Sequence, residues 1–544
     1  MIKNINDLEK LLSNQLKTFG HSIKFSANFS NIEGVDIQFN QLIQLNKHNQ
    51  FFQISEKIQH GLEELEIIKN VKISEQGFIN INLSDHFYSM NLTLVKNEII
   101  SELKSKSGSV IIDYGGANIG KSLHVGHLRT LTIGRALENI YRISGYKVTS
   151  DIHFGDWGMP IGLILAYIDL NNIDINKISS QDLETIYPEA TLLAKNDSTF
   201  KSKANSYTQK LNIQDEEVVA KWKIVYEIST KNLIDFLKKI NFEFNLYKGE
   251  SDVVTLIPDM MKNLVNKNLV KEDQGAIVAN DDQHPPAILV KSDGSYIYMT
   301  TDLATVLDRE SKLKPDMYVY VVDQRQSQHF DQLFKLVKFF SFSKADFVHI
   351  GFGTINGSDG KPLKTRDGGN YKLSQLYEDI ENQLKNKNND ENLTILTKAV
   401  MTYSDLSNSR LKNYNFDIEK FTNVNGKSAI YIQYAYVRAR KLLLQSNYKP
   451  KFTHSNEHNR KLLFELIKFD YYFKLSLQNN EPHHLADYLY KICQEFNSFY
   501  NAEKIFSDEK SKDDISNDLF VISCFIQILT IISECLGIEL VNDM

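Results

Sequence analysis

The sequence predicts a multidomain α/β protein: a central parallel-sheet domain with insertions between a small α+β domain and an all-α bundle. Three observations carry that reading. Strand, small-residue loop, helix and strand follow one another over residues 110–152, which is a βαβ unit. Apolar runs at 317–322 and 348–353 resume the sheet far downstream. Beyond Gly426 glycine nearly vanishes, and helical spacing runs to the end.

The chain has 544 residues, room for roughly three or four domains. At 42% hydrophobic and 24% charged it can build full cores. No apolar run is expected to reach the roughly 20 residues of a membrane span, and the first residues lack the apolar region of a signal peptide. Cys493, Cys524 and Cys535 lack CxxC spacing, so buried reduced thiols in a cytoplasmic protein and no metal site are expected. A net charge of −6 does not announce a nucleic-acid binder, but binding depends on local patches.

Residues 1–106 read as the α+β domain. Helical spacing covers 7–19 and 55–65, and alternation covers 71–73 and 78–83 around a turn at Gly77. A helix from about 84 to 103 leads into a polar linker. Residues 107–415 form the sheet domain. Its first strand ends at Asp113, a glycine-rich loop holds Gly115, Gly116 and Gly120, and a helix over 128–143 stops at Gly145. A lysine-rich, mainly helical insertion fills about 185–245. Residues 416–544 form the bundle, with helices near 427–445, 461–478, 485–500 and 518–535.

The loop after the first strand carries His124-Val125-Gly126-His127. Histidines three apart at a helix start point at one spot, and the helix terminus favours phosphate. Lys121 adds a mobile cation just upstream. A nucleoside triphosphate is the natural ligand, bound by Gly120, His124, Gly126 and His127. A second phosphate-handling candidate is the glycine-flanked loop 361–369, whose cations are Lys361, Lys364 and Arg366.

His-Val-Gly-His resembles the HIGH signature of class I aminoacyl-tRNA synthetases. With Asn118, Lys121 and Gly155-Asp156-Trp157-Gly158, the chain resembles the arginyl-tRNA synthetase family along nearly its whole length. Gly115-Gly116-Ala117-Asn118 departs from the Ser-Ser-Pro-Asn of many members but keeps the asparagine. The 361–369 loop resembles the family's divergent KMSKS loop, for whose missing lysine Lys121 would compensate. The resemblance implies a Rossmann-like catalytic domain, ATP and Mg²⁺ as cofactors, and L-arginine and tRNA(Arg) as partners. It also implies a first domain that contacts tRNA, a monomer, no membrane, and tRNA-dependent activation. Catalysis would rest on His124, His127, Lys121, Lys361, Lys364 and Arg366, with Lys364 also on ATP. Arginine would be held by Asp113, Asn118, Tyr298, Asp302 and Gln326, since a guanidinium wants planar carboxylate and amide acceptors. By itself, Asp302 reads better as a helix N-cap than as a ligand.

In the bundle, basic residues and tyrosines interleave over 427–461, a pattern that suits unstacked RNA bases or an ordinary solvated helix face. The resemblance marks Tyr431, Arg438, Tyr488 and the terminal Met544 as tRNA contacts. Two other readings stay open: another class I synthetase or HxGH nucleotidyltransferase, and a non-catalytic tRNA-binding paralogue. Intact His124, Gly126, His127 and Asp302 weigh against the paralogue.

Overall fold

The computed structural model describes residues 5–30, 32–97, 99–280, 287–357, 359–363, 371–385, 390–502 and 504–544. Lys364 and Arg366 lie outside them.

Four antiparallel strands near the N-terminus, β1 (Ala27–Phe29), β2 (Ile37–Phe39), β3 (Ile68–Ile73) and β4 (Ile79–Leu83), pair in the order β1-β2-β4-β3. Alternation in β4 buries Ile79, Ile81 and Leu83 on one face. Gly77 turns the β3–β4 hairpin with φ +95; a Cβ there would stand 2.8 Å from the Ile43 amide nitrogen. The strands β1 and β2 are three residues each, too short to leave an alternation in the sequence.

The central sheet is wholly parallel. Its strands β5 (Ser109–Asp113), β6 (Lys147–Phe154), β7 (Leu246–Gly249), β11 (Met317–Asp323) and β12 (Asp346–Phe352) run in the order β12-β11-β5-β6-β7. Near-continuous apolar runs, as in β5 and β11, suit strands covered on both faces. The helix Gly126–Ser144 crosses from β5 to β6 and ends on Gly145 at φ 108. Between β6 and β7 the insertion folds as helices Ser180–Asn196, Ser198–Asn212 and Glu216–Lys239, with Ser179, Asp197 and Asp215 as side-chain N-caps. The strands β8 (Val270–Asp273), β9 (Ala276–Ala279) and β10 (Ile288–Val290) form a separate antiparallel sheet.

The bundle comprises Ala429–Leu444, Arg460–Leu466, Phe469–Asn479, His483–Ala502 and Lys512–Leu536. The helix expected over 461–478 is therefore two helices. Contrary to the expectation of no membrane-length run, Lys512–Leu536 is long and apolar enough to span one; 72% of its apolar window is buried in the protein. It packs on Gly126–Ser144, where Asn139 donates to the Glu534 carbonyl at 2.8 Å.

Candidate active site

Carboxyl ends of parallel strands collect the site, as the fold requires. Leaving β5, the chain turns through Gly115 at φ +102 and Gly116 at φ +48. The Gly115 amide donates to Thr130 Oγ1 at 2.9 Å, and that hydroxyl donates to the Val321 carbonyl on β11 at 2.7 Å. Asn118 lies against Gly155, where a Cβ would meet its Oδ1 at 2.2 Å, so only glycine fits. A cavity of about 440 Å³ opens here, lined among others by Asp113, Asn118, His124, Gly126, His127, Arg325 and Gln326.

Both histidines line this cleft and are fixed by backbone contacts. The His124 amide donates to His127 Nδ1 at 3.1 Å, and the Gly126 amide donates to His124 Nδ1 at 3.1 Å. A neutral imidazole that accepts at Nδ1 carries its proton on Nε2. Burial, then the neighbouring His124, hold His127 down to about 3. Burial, then Lys121 and Arg325, lower His124. The rings lie 4.0 Å apart at a helix start, and His127 Nδ1 also stands 3.2 Å from the His124 carbonyl, so two neutral imidazoles lie side by side.

A second group gathers acid. Asp302 lies in the first turns of the helix Tyr298–Lys312, whose N-cap is Ile297, so the N-cap reading of Asp302 is excluded. Its Oδ2 is 2.6 Å from His329 Nε2. Glu250, just beyond β7, is buried. Burial, then Asp302 and Asp156, push its carboxyl up to about 8, against the Trp157 amide that donates to it. Glu250, Tyr298 and Trp157 line a cavity of about 350 Å³. The sequence does not mark Glu250 or His329: neither belongs to a motif, and each acquires its partner only through the fold. The acidic cluster that a metal would suit, Asp113, Asp151 and His153, already holds a cation. Arg309 Nη2 reaches Asp113 at 2.6 Å and Asp151 at 2.7 Å.

Other expected residues fall elsewhere. Lys121 and Gly120 line a neighbouring cavity rather than the 440 Å³ cleft, and Lys121 Nζ lies 4.2 Å from the centre of the Tyr187 ring. Lys361 is exposed, while Pro362 and Leu363 beside it line the cleft. Tyr488 is a correction: it is 1% exposed and its hydroxyl donates to the Glu465 carbonyl at 2.7 Å, so it serves the bundle core and cannot touch RNA. Arg438 is exposed, with its guanidinium over Tyr434 and Tyr500, while Tyr431 and Met544 are half-buried. In the basic run, Lys427 pairs with Asp487 and Arg460 with Asp36, so both cations are used internally.

Paired imidazole donors on the first loop of a parallel nucleotide fold, with a basic loop following the last strand, define a class I aminoacyl-tRNA synthetase. The model "tRNA synthetases class I (R), catalytic domain" matches residues 90–418, "Arginyl tRNA synthetase N terminal domain" 6–83, and "DALR anticodon binding domain" 432–544. An arginine–tRNA ligase of Alkaliphilus oremlandii is 34% identical over 533 residues, 90% of each chain. One from Francisella tularensis is also 34% identical with the same coverage. The chain belongs to the arginyl-tRNA synthetase family. Among solved structures, arginyl-tRNA synthetase of Plasmodium falciparum superposes with a TM-score of 0.82 at 24% identity over 99% of each chain. The Thermus thermophilus structure gives 0.79 at 18% over 100% of each.

Proposed function

We propose that this chain is an arginine–tRNA ligase. It activates L-arginine with ATP and transfers the arginyl group to the 3′ end of tRNA(Arg). The observation that carries the reading is the pairing of two sites on one sheet edge. Two neutral imidazoles line a cleft suited to phosphates, and the Glu250 and Asp302 carboxylates lie near Tyr298.

The guanidinium of arginine docks against Glu250 and Asp302, whose planar acceptors match its fork of donors. Asn118 receives the α-ammonium in the cleft that Asp113 also lines with its Oδ2 taken by Arg309, and Gln326 closes the pocket from the end of β11. The substrate carboxylate attacks the α-phosphorus of ATP; the bond to the pyrophosphate oxygen breaks. His124 and His127 stabilise the charge that grows on the phosphates, and Lys121, Lys361, Lys364 and Arg366 are the cations this reading assigns to the leaving pyrophosphate. Mg²⁺ would ride on the phosphates and neutralise their charge. Among the described residues of the cleft, Asp113 and Asp323 are already paired to Arg309 and Arg325, which supports a metal carried by ATP rather than by a protein cage. A ribose hydroxyl at the tRNA 3′ end then takes the arginyl group from AMP. Residues 1–106 and 416–544, with Tyr431, Arg438 and Met544, hold the tRNA, and the enzyme works as a cytoplasmic monomer.

The test is Asp302→Ala in ATP–pyrophosphate exchange. Unpairing a guanidinium at a buried site costs on the order of 3–5 kcal/mol. The arginine KM should rise steeply while the ATP KM stays nearly unchanged. An equal collapse of both would make Asp302 a structural residue and overturn the pocket.

A further inference from the structure

Beside the adenylate cleft lies a separate cavity of about 510 Å³, between the loop before His124 and the insertion helix Ser180–Asn196. Its chemistry is mixed in a particular way. Among the described residues no aromatic ring stacks on Tyr187; the Lys121 ammonium stands over its ring at 4.2 Å. Lys195 and Lys372 add two more cations to the wall. Glu184 also lines the cavity, and it is taken up by Lys372 at 2.6 Å and by Ser122. Leu192 forms an apolar lip and is 61% exposed, a large hydrophobic side chain that packing leaves uncovered.

The cavity adjoins the cleft: His124 lines both. An aromatic face, an apolar lip and surrounding lysines are what an unpaired nucleotide requires, the ring for its base and the cations for its phosphates. A protein segment would gain nothing from the lysines, and a lone phosphate nothing from the ring.

We propose that this cavity receives one unpaired base of the tRNA 3′ strand, stacked on Tyr187 in the place now held by the Lys121 ammonium. The inference rests on the tRNA substrate proposed above and deepens it by adding a subsite.

The experiment uses full-length enzyme and arginine tRNA carrying 2-aminopurine at each unpaired 3′ position in turn. Stacking quenches that base, so wild type should quench one position. Tyr187→Phe keeps the ring and should keep the quench. Tyr187→Leu should lose it and raise the tRNA KM roughly tenfold, the scale of one base–aromatic stack, with the arginine KM unchanged. Leu192→Glu, on the exposed lip where folding is not at stake, should weaken the same quench by placing a carboxylate against the incoming phosphate. A wild-type quench and tRNA KM in both Tyr187→Leu and Leu192→Glu would overturn the subsite. Failure of the wild type to charge tRNA with arginine would strike the functional reading instead, and the dependence of the quench on residues 187 and 192 would still decide the subsite.

Discussion

At the scale of single residues, the account turns on protonation. Glu250, held up to about 8 by burial and by Asp302 and Asp156, is mostly protonated at neutral pH in the free protein. A guanidinium binds the ionised form, so arginine binding should release up to about one proton near pH 7. Arginine affinity should rise with pH and level off above about 8. Calorimetry in buffers of different ionisation enthalpy measures that release, and Glu250→Gln should abolish it. The sign for stability follows. With the folded value above the ordinary 4.5, the folded state holds the proton more tightly between 4.5 and about 8. Stability without arginine should therefore fall as pH rises through that window, and arginine should raise the Tm more at pH 8 than at pH 6. His127 behaves oppositely: held down to about 3, it stays neutral throughout, and its protonation should leave no step in the pH profile of exchange above pH 5. His127→Ala should slow adenylate formation by roughly 10²–10³-fold, the scale of losing one transition-state donor. The histidines were legible because their spacing on one turn is itself the signal. Glu250 was not, because its neighbours Asp302 and Trp157 come from distant segments and only the sheet edge brings them together.

At the scale of elements, the parallel strands were legible where apolar runs are long, as in β11, and illegible where strands are as short as β1 and β2. The link between the HxGH helix and the base of the basic loop was not legible either. Arg129, 1% exposed, pairs with Asp405 at 3.1 Å and donates to the carbonyls of Lys412 at 2.8 Å and Gly353 at 3.4 Å. It fastens the end of β12 to the catalytic helix. Arg129→Met leaves Asp405 buried without its cation, a loss on the order of 3–5 kcal/mol. The double variant Arg129→Met, Asp405→Leu should regain much of that stability in a denaturant melt. Its exchange rate should stay depressed, because the end of β12 is no longer tied to the helix. Recovery of both together would mean that the pair serves stability alone.

At the scale of the whole molecule, the ends of the chain meet. Arg460 Nη2 reaches Asp36 at 2.7 Å and the Leu83 carbonyl at 3.0 Å, and Phe29 packs edge-on against Tyr471, so the first domain docks on the bundle. The bundle in turn packs its helix Lys512–Leu536 along the helix that starts at Gly126. A tRNA held by the bundle therefore acts one helix away from His127. That contiguity gives a physical route from a bound tRNA to the helix that begins beside His127. Exchange with ATP and arginine alone should be near background, restored by tRNA(Arg), and the rescue should fall steeply with salt because phosphate contacts carry RNA affinity. The order of the three domains was legible, since each has its own periodicity; their mutual docking was not, since Arg460 looks like one more cation in a basic run. The central claim is that the Glu250–Asp302 pocket selects arginine for activation. It is met most directly by ATP–pyrophosphate exchange with each standard amino acid in turn, in the presence of tRNA(Arg). The account predicts exchange with arginine alone, lost in Asp302→Ala. Equal exchange with an uncharged amino acid, or arginine exchange that survives loss of Asp302, would contradict it.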